Sequence, residues 1–522
     1  FRHTVTQQVA YDMLLFAHRK EMHAAAADWY EQAAAFWPYT PAEQHYPLLV
    51  HHCHHAEDQA RERRYAILAG ESAAARFANA EAVRYVSRAL ELTPHDDPVA
   101  RFDLLVRREA VNDLRGERQE QARDLDDLAV LAVRMGDGQR LARVELRLAT
   151  YQNEISRYAA ASRRAEGAAR LAQEAGDPAL EASAELQWGR ALGLMGRTAE
   201  ARERYSRALA IARAASLPAL EAHSTRALAH AAIDLEEVEM ACATYERAIA
   251  LSEAIGDRRG AAVARGTLGW VLTMRGEYLR ARAMYHESLA MSREIGLRTI
   301  EARVLDGLGA VAAALGDYAA ARALHEEALA LFVAIGDRQG ESDALSNIAA
   351  VLLADGACSA AVDAARRAVQ LAREQSARRY ESKALAALGH AALALGRMRE
   401  ASAAYGQSLE LRRRHGQPYL ALEPQAGLAL VALAGGRLDE ALAHASAILH
   451  ALDPAVARGW VEPYWVDAAC IRVLRAASDP RAEDLLRRAR GRLLAHAGAL
   501  ADAAIRRSFL ENIAVHRELR DL

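Results

Sequence analysis

The sequence is poor in lysine, proline and aromatic residues. Only two lysines, Lys20 and Lys383, occur among its 522 residues, and none of the twelve prolines lies in 219–417. Aromatic residues make up 6% of the chain, whereas apolar residues reach 52%, a large share of them alanine. A long stretch without proline favours uninterrupted helices, and alanine is the strongest helix former. The composition therefore predicts an all-α protein.

The sequence also lacks a strong excess of one charge and long apolar runs. The formal net charge of −3 gives no electrostatic reason to expect nucleic acid or an anionic membrane as a partner. No apolar run approaches the length of a membrane span, and the N-terminal FRHTVTQQ contains no secretory apolar segment. The four cysteines are far apart and form no CxxC pair. We therefore expect a cytoplasmic protein with reduced, small, buried cysteines.

The common catalytic motifs are missing. A P-loop requires GxxxxGK[ST], and neither lysine of this chain follows a glycine. Neither HExxH nor GxSxG occurs, so zinc-protease and nucleophile-elbow chemistry have no motif in the sequence. We predict no enzymatic activity, no catalytic residue and no cofactor for this chain.

A forty-residue repeat organises most of the chain. Glycine readily adopts the left-handed conformation that ends a helix, so two glycines per repeat predict a helix–turn–helix unit. Asp257 and Asp337 follow such glycines and are placed to cap the next helix. One glycine series comprises Gly116, Gly196, Gly276, Gly316, Gly356, Gly396 and Gly436, with Ser156 and Glu236 at the intervening positions. The second series, twenty residues out of phase, comprises Gly136, Gly176, Gly256, Gly296, Gly336 and Gly416.

Other residue types keep the same period. Small residues would let neighbouring helices approach, and the aromatic residue would fill the gap between adjacent hairpins. A Leu-Gly pair recurs at Leu268, Leu308 and Leu388, and an alanine recurs at Ala281, Ala321 and Ala401. The segments YSRAL, YERAI, YHESL, HEEAL and YGQSL start at Tyr205, Tyr245, Tyr285, His325 and Tyr405.

This pattern resembles the tetratricopeptide repeat, although its period is forty rather than about thirty-four residues. The resemblance implies an all-α, right-handed superhelical solenoid of helical hairpins. Each hairpin buries its apolar face against its neighbours, so both ends of the array need caps.

The two ends of the chain resemble large bacterial regulators of the signal-transduction ATPase (STAND) type. The closing segment RRSFLENIAVHREL, residues 506–519, is similar to the end of the same group. In the opening segment the matching residues are Phe1, His3, Thr6, Gln7, Val9, Ala10, Tyr11, Leu14, Leu15, Arg19 and His23. Because the chain starts at Phe1 rather than methionine, we expect it to be part of a longer protein. In such proteins the upstream part often carries an ATPase with a nucleotidyl cyclase, kinase or DNA-binding domain.

We expect four regions along the chain. Residues 1–45 are expected to end a winged-helix-like region that links to an ATPase. Residues 46–95 are expected to form a helical adaptor with atypical first repeats. The repeat solenoid is expected over 96–450, and a helical C-terminal cap over 451–522.

A histidine-rich run, LLVHHCHHAED, occupies residues 48–58. On a helix His51 shares a face with His54 and His55, whereas Cys53 points elsewhere. Zinc takes three or four protein ligands, so a metal site here would require a histidine from another helix. We therefore interpret the run as a packing or hydrogen-bonding feature. A metal site, and pH or ligand sensing, remain alternatives.

The first helix of each hairpin is expected to line a concave surface that binds ligands. Arginine suits carboxylate or phosphate groups, and an exposed tryptophan is a common binding anchor. The alternative is that arginine is simply the usual surface cation of this lysine-poor chain. The register places nine residues on this surface: Arg190, His223, Arg226, His230, Trp270, Arg303, Asp306, Ser346 and His390.

Two functions are compatible with these patterns. The first is a non-catalytic sensor arm of a signalling ATPase. It would bind a protein, a peptide or a small-molecule effector and relay that state to an N-terminal switch. The second is a constitutive scaffold for protein assembly, with self-association possible. We expect no nucleic acid and no membrane among the partners.

Overall fold

The structure is a computed structural model that describes residues 11–36, 42–235, 237–415, 417–451 and 463–522. For residues 33–36 and 463 it describes the backbone but not the side chains. Within these ranges the chain forms helices joined by short turns and no strand, which confirms the all-α prediction. Residues 1–10 of the opening resemblance lie outside the described residues. So do Glu236 and Gly416 of the glycine series.

The chain divides into two compact units, Phe1–Leu220 and Glu221–Leu522, called here the N-terminal and C-terminal units. Their boundary falls inside the helix α11 (Pro218–Asp234) and within the predicted solenoid. The four regions expected from the sequence stay predictions. The N-terminal unit contains α1 (Phe16–Phe36), a 3-10 turn (Ala42–Gln44), α2 (Tyr46–His55), α3 (Gln59–Ala75), α4 (Asn79–Glu91), α5 (Pro98–Arg115), α6 (Arg118–Met135), α7 (Gly138–Glu154), α8 (Tyr158–Glu174), α9 (Pro178–Leu194) and α10 (Thr198–Ala214).

The C-terminal unit continues the same pattern of paired helices and ends in four helices outside the repeat. After α11 come α12 (Val238–Ala254), α13 (Arg258–Met274), α14 (Tyr278–Glu294), α15 (Arg298–Ala314), α16 (Tyr318–Ile335), α17 (Arg338–Ala354), α18 (Cys358–Glu374), α19 (Arg378–Ala394), α20 (Met398–Arg414), α21 (Leu422–Ala434) and α22 (Leu438–Ala451). The last four helices are α23 (Pro463–Ala476), α24 (Arg481–Ala499), α25 (Ala503–Glu511) and α26 (Ala514–Asp521).

The turns between helices have the geometry that the sequence predicts. The described glycines of both series have positive φ, and Ser156 takes the same conformation at φ 60°. Ser216 and Ser376 occupy two further positions of the second series and are also left-handed. Asp257 and Asp337 cap the following helices, accepting hydrogen bonds from the amides of Gly260 at 2.8 Å and Gly340 at 2.9 Å. Both predicted caps are confirmed.

Aromatic side chains fill the hairpins of the C-terminal unit by packing on glycine. Tyr405 is fully buried, and a methyl group at Gly389 or Gly427 would overlap its ring. Tyr285 packs in the same way against Gly269 and Gly307. The recurrent alanines at 281, 321 and 401 are fully buried beside them. Small residues and aromatic rings therefore fit together as the repeat pattern predicts.

The final helices of the C-terminal unit return to its earlier hairpins. His496 on α24 donates through Nε2 to the carbonyl of Gly276 at 2.8 Å, and its ring stacks on Tyr278. Asn512, at the end of α25, donates to the carbonyl of Gly316 at 3.0 Å. Phe509 is fully buried in the same apolar cluster. The C-terminal helices thus pack against turns about two hundred residues earlier in the chain, rather than only against the last hairpin.

The cysteines are free thiols, as expected. Cys53, Cys242 and Cys470 are buried, whereas Cys358 is only half-buried. Burial raises the pKa of Cys53 to about 11 and that of Cys470 to about 12. Among the helices in the described ranges, none is both long enough and apolar enough to cross a membrane.

Candidate functional site: a groove on the first helices

Charged and aromatic side chains converge on the first helices of the C-terminal unit. Arg303, Asp343 and Lys383 share one position of the forty-residue register, and Trp270 and His390 share another. Because these positions recur on successive helices, the side chains form a continuous surface. We call it the first-helix groove and define it by Trp270, Arg303, Asp306, Asp343, Arg379, Lys383, His390 and Glu423.

Asp306 is the most buried charge in the groove, with 8% of its surface exposed. His325 Nδ1 donates to one of its oxygens at 2.6 Å, and the Asn347 amide donates to both oxygens at 3.1 and 2.9 Å. Burial favours the neutral acid, but the hydrogen bond from His325 and the charges of His325 and Lys383 hold the pKa of Asp306 below its usual value. Asp306 thus stays ionised and links α15 to α16 and α17.

Lys383 places a positive charge next to this carboxylate. Its amine pairs with Asp343 on the preceding first helix, yet 43% of its side chain remains exposed. Burial favours the neutral amine, but Asp343 and Asp306 raise the pKa of Lys383. Arg303 lies 3.5 Å from Asp337 and keeps 59% of its side chain exposed. Both cations are therefore held by acidic neighbours and remain accessible to a ligand.

His390 connects the groove to the last helices. Its Nε2 contacts Glu423 at 3.0 Å, and its Nδ1 contacts the Tyr405 hydroxyl at 2.9 Å. Trp465 on α23 packs edge-on against the same imidazole, with ring centroids 4.4 Å apart. Burial opposes ionisation of Glu423, but the hydrogen bond from His390 and the charge of Arg412 lower its pKa to about 2. Glu423 is therefore ionised at this end of the groove, where His390 and Arg412 hold it.

Side chains from two hairpins that are distant in the chain meet at the groove. The guanidinium of Arg379 on α19 lies 5.7 Å from the ring centre of Trp270 on α13. Two further first helices, α15 and α17, lie between these helices in the chain. Such a contact requires the first-helix face of the C-terminal unit to curve inward. This contact supports a concave first-helix surface in this unit, which stays a prediction.

Three predicted contacts, Arg226, His223 and His230, lie on α11 and are not part of the groove as defined. Arg226 on α11 is half-buried and forms no hydrogen bond or ion pair with the described residues. Burial lowers the pKa of its guanidinium, which Asp257 opposes. His223 and His230 are exposed on the same helix.

Two further predicted residues also lie outside the groove. In contrast to the expectation, Ser346 lies beneath the surface with 2% exposure, and its hydroxyl donates to the Ser342 carbonyl at 2.8 Å. Its small side chain serves helix packing. Arg190 belongs to the N-terminal unit, where it pairs with Glu154 at 3.1 Å. The groove as defined therefore contains Trp270, Arg303, Asp306 and His390 of the predicted set.

Sequence reasoning missed four groove residues: Asp343, Arg379, Lys383 and Glu423. The signal for two of them was present, because Asp343 and Lys383 lie forty and eighty residues after Arg303. Lys383 is also one of only two lysines in the chain. Arg379 is recognised only from its contact with Trp270, and Glu423 only from its contacts with His390 and Arg412.

Family models match the central part of the chain. Residues 220–294 and 300–374 match one tetratricopeptide repeat model, and residues 382–415 match another. These segments are tetratricopeptide repeats. They supply most of the first helices that form the groove, and the motif is one of protein interaction. A search of curated proteins gives no significant match.

The solved structure of NprR shows the same kind of fold. The apo quorum sensor NprR from B. thuringiensis is 14% identical with a TM-score of 0.50, and the match covers 69% of this chain and 99% of that one. A STAND protein with a tetratricopeptide repeat sensor, PH0952 from Pyrococcus horikoshii, is 17% identical with a TM-score of 0.47. That match covers 71% of this chain and 56% of PH0952. Aspartyl phosphate phosphatase F from Bacillus subtilis is 14% identical with a TM-score of 0.47, over 66% of this chain and 92% of that one. At 14% identity the likeness to NprR concerns the helical-repeat fold alone.

Proposed function

We propose that the first-helix groove binds an extended segment of a protein or peptide partner, and that the chain is the sensor or interaction arm of a larger bacterial signalling ATPase. The observation that carries the binding proposal is the ladder of opposite charges across adjacent first helices, with Arg303 and Lys383 still accessible. The ATPase context rests on the resemblance of the two end segments.

The groove chemistry favours a ligand with mixed polarity. Partly exposed ion pairs contribute little to stability, so a ligand carboxylate can replace Asp343 or Asp337 at modest cost. Trp270 offers an apolar face beside these charges, and buried aromatic anchors often dominate binding energy. The carboxylate of Glu423, whose side chain is 31% exposed, is suited to accept a backbone amide or a cationic side chain of the ligand. A small-molecule effector with a carboxylate or phosphate group would use the same cations.

The test is selection of a displayed random-peptide library on the immobilised full chain, followed by affinity measurements with the selected peptide. The double variant Arg303→Ala/Lys383→Ala should bind at least about tenfold more weakly, because two accessible cations are lost. Arg322→Ala is the matched control, since Arg322 is an exposed arginine on the second helix α16 and pairs with Glu326. Equal affinity of the wild type and the double variant for the peptide would contradict the proposal that the groove binds it.

A second measurement separates the sensor from the constitutive scaffold. A binding event relays a signal only if it favours one of two conformations of the protein. Hydrogen–deuterium exchange of the full chain, with and without the selected peptide, should therefore change outside the groove, including residues 11–75. Protection confined to the groove would favour the scaffold.

A further inference from the structure

The histidine-rich run meets a further histidine on another helix. His51 and His52 lie on α2, and His23 lies on α1, which packs against α2. At least one ring nitrogen of each of the three lies within 4.8 Å of the others. A metal site at the histidine-rich run requires a further histidine from another helix, and His23 supplies it. We propose that His23, His51 and His52 form a binding site for a divalent transition-metal ion of the zinc class.

The ring nitrogens have suitable positions for such an ion. His23 Nδ1 and His52 Nδ1 face one another at 2.8 Å. Two imidazole nitrogens on a tetrahedral zinc ion lie about 3.3 Å apart, given zinc–nitrogen bonds of about 2.0 Å. The two rings therefore need to separate by only about half an ångström to admit the ion. The ring centroid of His51 lies 5.7 Å from that of His23 and 5.2 Å from that of His52, so the three rings form one cluster.

Tyr11 orients the central ligand. Its hydroxyl lies 2.8 Å from His23 Nε2, which leaves His23 Nδ1 turned toward His52. Histidines that bind metals commonly donate their second N–H to an oxygen, and this contact fixes the tautomer and the ring. The Tyr30 ring stacks on His52 and restricts its rotation in the same way.

The site is open to solvent on one side. His23 is 9% exposed, whereas His51 is exposed, so an ion can enter from solvent. The charge of nearby Arg19 is partly compensated by Asp12, 4.0 Å away. The ring of His55 stacks on that of His23, with centroids 4.8 Å apart, and borders the site.

Cys53 and His54 do not belong to the site although they lie in the same run. Cys53 is fully buried against Ala27, Leu49 and Tyr65. His54 contacts Glu62 at 3.1 Å, and its side chain is 54% exposed. His54 is therefore a matched control within the same helix.

The experiment uses the full chain purified without a metal-affinity tag and titrated with Zn²⁺ and Co²⁺ after treatment with a chelator. The proposal predicts one zinc ion per chain by elemental mass spectrometry, and visible absorption of bound Co²⁺ at tetrahedral intensity. Zinc should also raise the Tm, because the ion binds the folded form. No cobalt spectrum and no zinc retention in wild type would overturn the proposal and leave a packing cluster.

Variants assign the ligands. His52→Asn and, separately, His51→Asn should weaken zinc binding by about 100-fold or more, which is at least the effect of losing an outer-sphere partner. His54→Asn should bind zinc as wild type does. Far-UV circular dichroism shows that each variant is folded before titration. Wild-type affinity in both ligand variants, or an equal loss in His54→Asn, would contradict the assignment.

Discussion

The two compact units differ in how often an aromatic ring fills their hairpins. In the C-terminal unit Tyr245, Tyr285 and Tyr405 are buried at one position of the register. In the N-terminal unit the corresponding positions hold Leu125, Ala165 and Tyr205, and of these Tyr205 packs its ring on a glycine, Gly189. There, buried polar groups join neighbouring helices as well: Arg108 and Asn112 donate to Asp124 at 2.6 and 3.0 Å, and Gln121 donates to Glu109 at 2.8 Å.

This difference explains where the repeat is recognisable. Packing of an aromatic ring on a glycine requires these two residue types at a fixed spacing, so the repeat is recognisable in the sequence. Packing by alanine or by polar pairs allows many residue types in the same backbone geometry, so the repeat is harder to recognise. The segments matched by the tetratricopeptide models accordingly run from residue 220 to residue 415, although helical pairs of similar length are present from α5 onward.

The largest expected effect comes from removing a buried ring in the C-terminal unit. Tyr405→Ala should lower the free energy of unfolding by about 3–5 kcal/mol, because the cavity between Gly389 and Gly427 cannot be refilled by local adjustment. Tyr158→Ala in the N-terminal unit is the control, since its hydroxyl makes an exposed contact with Ser156. Urea unfolding followed by circular dichroism measures both. Equal effects would contradict the claim that the rings hold the C-terminal hairpins together.

A comparable loss is expected from the polar contacts of the N-terminal unit. Asp124→Ala should cost about 3 kcal/mol, because it leaves Arg108 and Asn112 without their buried partner. Asp126→Ala, an exposed carboxylate on the same helix, should cost little. The same unfolding experiment applies, and a negligible effect of Asp124→Ala would show that this polar contact is dispensable.

Acid should weaken the returning helices of the C-terminal unit through His516. Burial lowers the pKa of His516 to about 4, an effect that its hydrogen bond to the Phe509 carbonyl opposes and nearby His496 reinforces. A histidine with a depressed folded pKa stabilises the fold above pH 6.5, and that stability is lost as the pH falls toward 4. The loss should reach about 3 kcal/mol at the acid end. His516→Asn keeps a donor but does not titrate, so its stability should depend less on pH than that of wild type. Parallel pH profiles would contradict this assignment.

The smallest expected change in stability comes from replacing two helical glycines, one in each unit, by alanine. Gly307 lies against the Tyr285 ring, and a methyl group there would overlap it. Gly307→Ala should therefore destabilise the protein by about 1–2 kcal/mol. Gly167→Ala on α8 enters open space and should stabilise by up to about 1 kcal/mol through helix propensity. Thermal unfolding of the two variants gives the sign of each change, and the same sign for both would contradict the packing difference.

Regular spacing made much of the fold predictable. The glycine series located the turns, and Asp257 and Asp337 were recognisable as caps from local sequence alone. The return of α24 to Gly276 was not predictable, because no period relates His496 to a glycine 220 residues earlier. The same limit applies to the cluster of His23 with His52, whose partners come from separate helices without a shared spacing.

The groove was predictable only in part, for a related reason. The register identified the helix face that carries Trp270, Arg303, Asp306 and His390. It did not reveal that Ser346 is covered by neighbouring helices. Nor did it reveal that Arg379 reaches Trp270 across two intervening first helices, since that contact depends on the curvature of the whole C-terminal unit.

The most direct test of the central claim maps where a bound peptide lies. A peptide selected on the full chain would carry a photoreactive group, and the cross-linked residues would be identified by mass spectrometry after irradiation. The account predicts cross-links on the first helices α13, α15, α17 and α19, next to Trp270, Arg303 and Lys383. Cross-links on the second helices, or on the N-terminal unit alone, would contradict it.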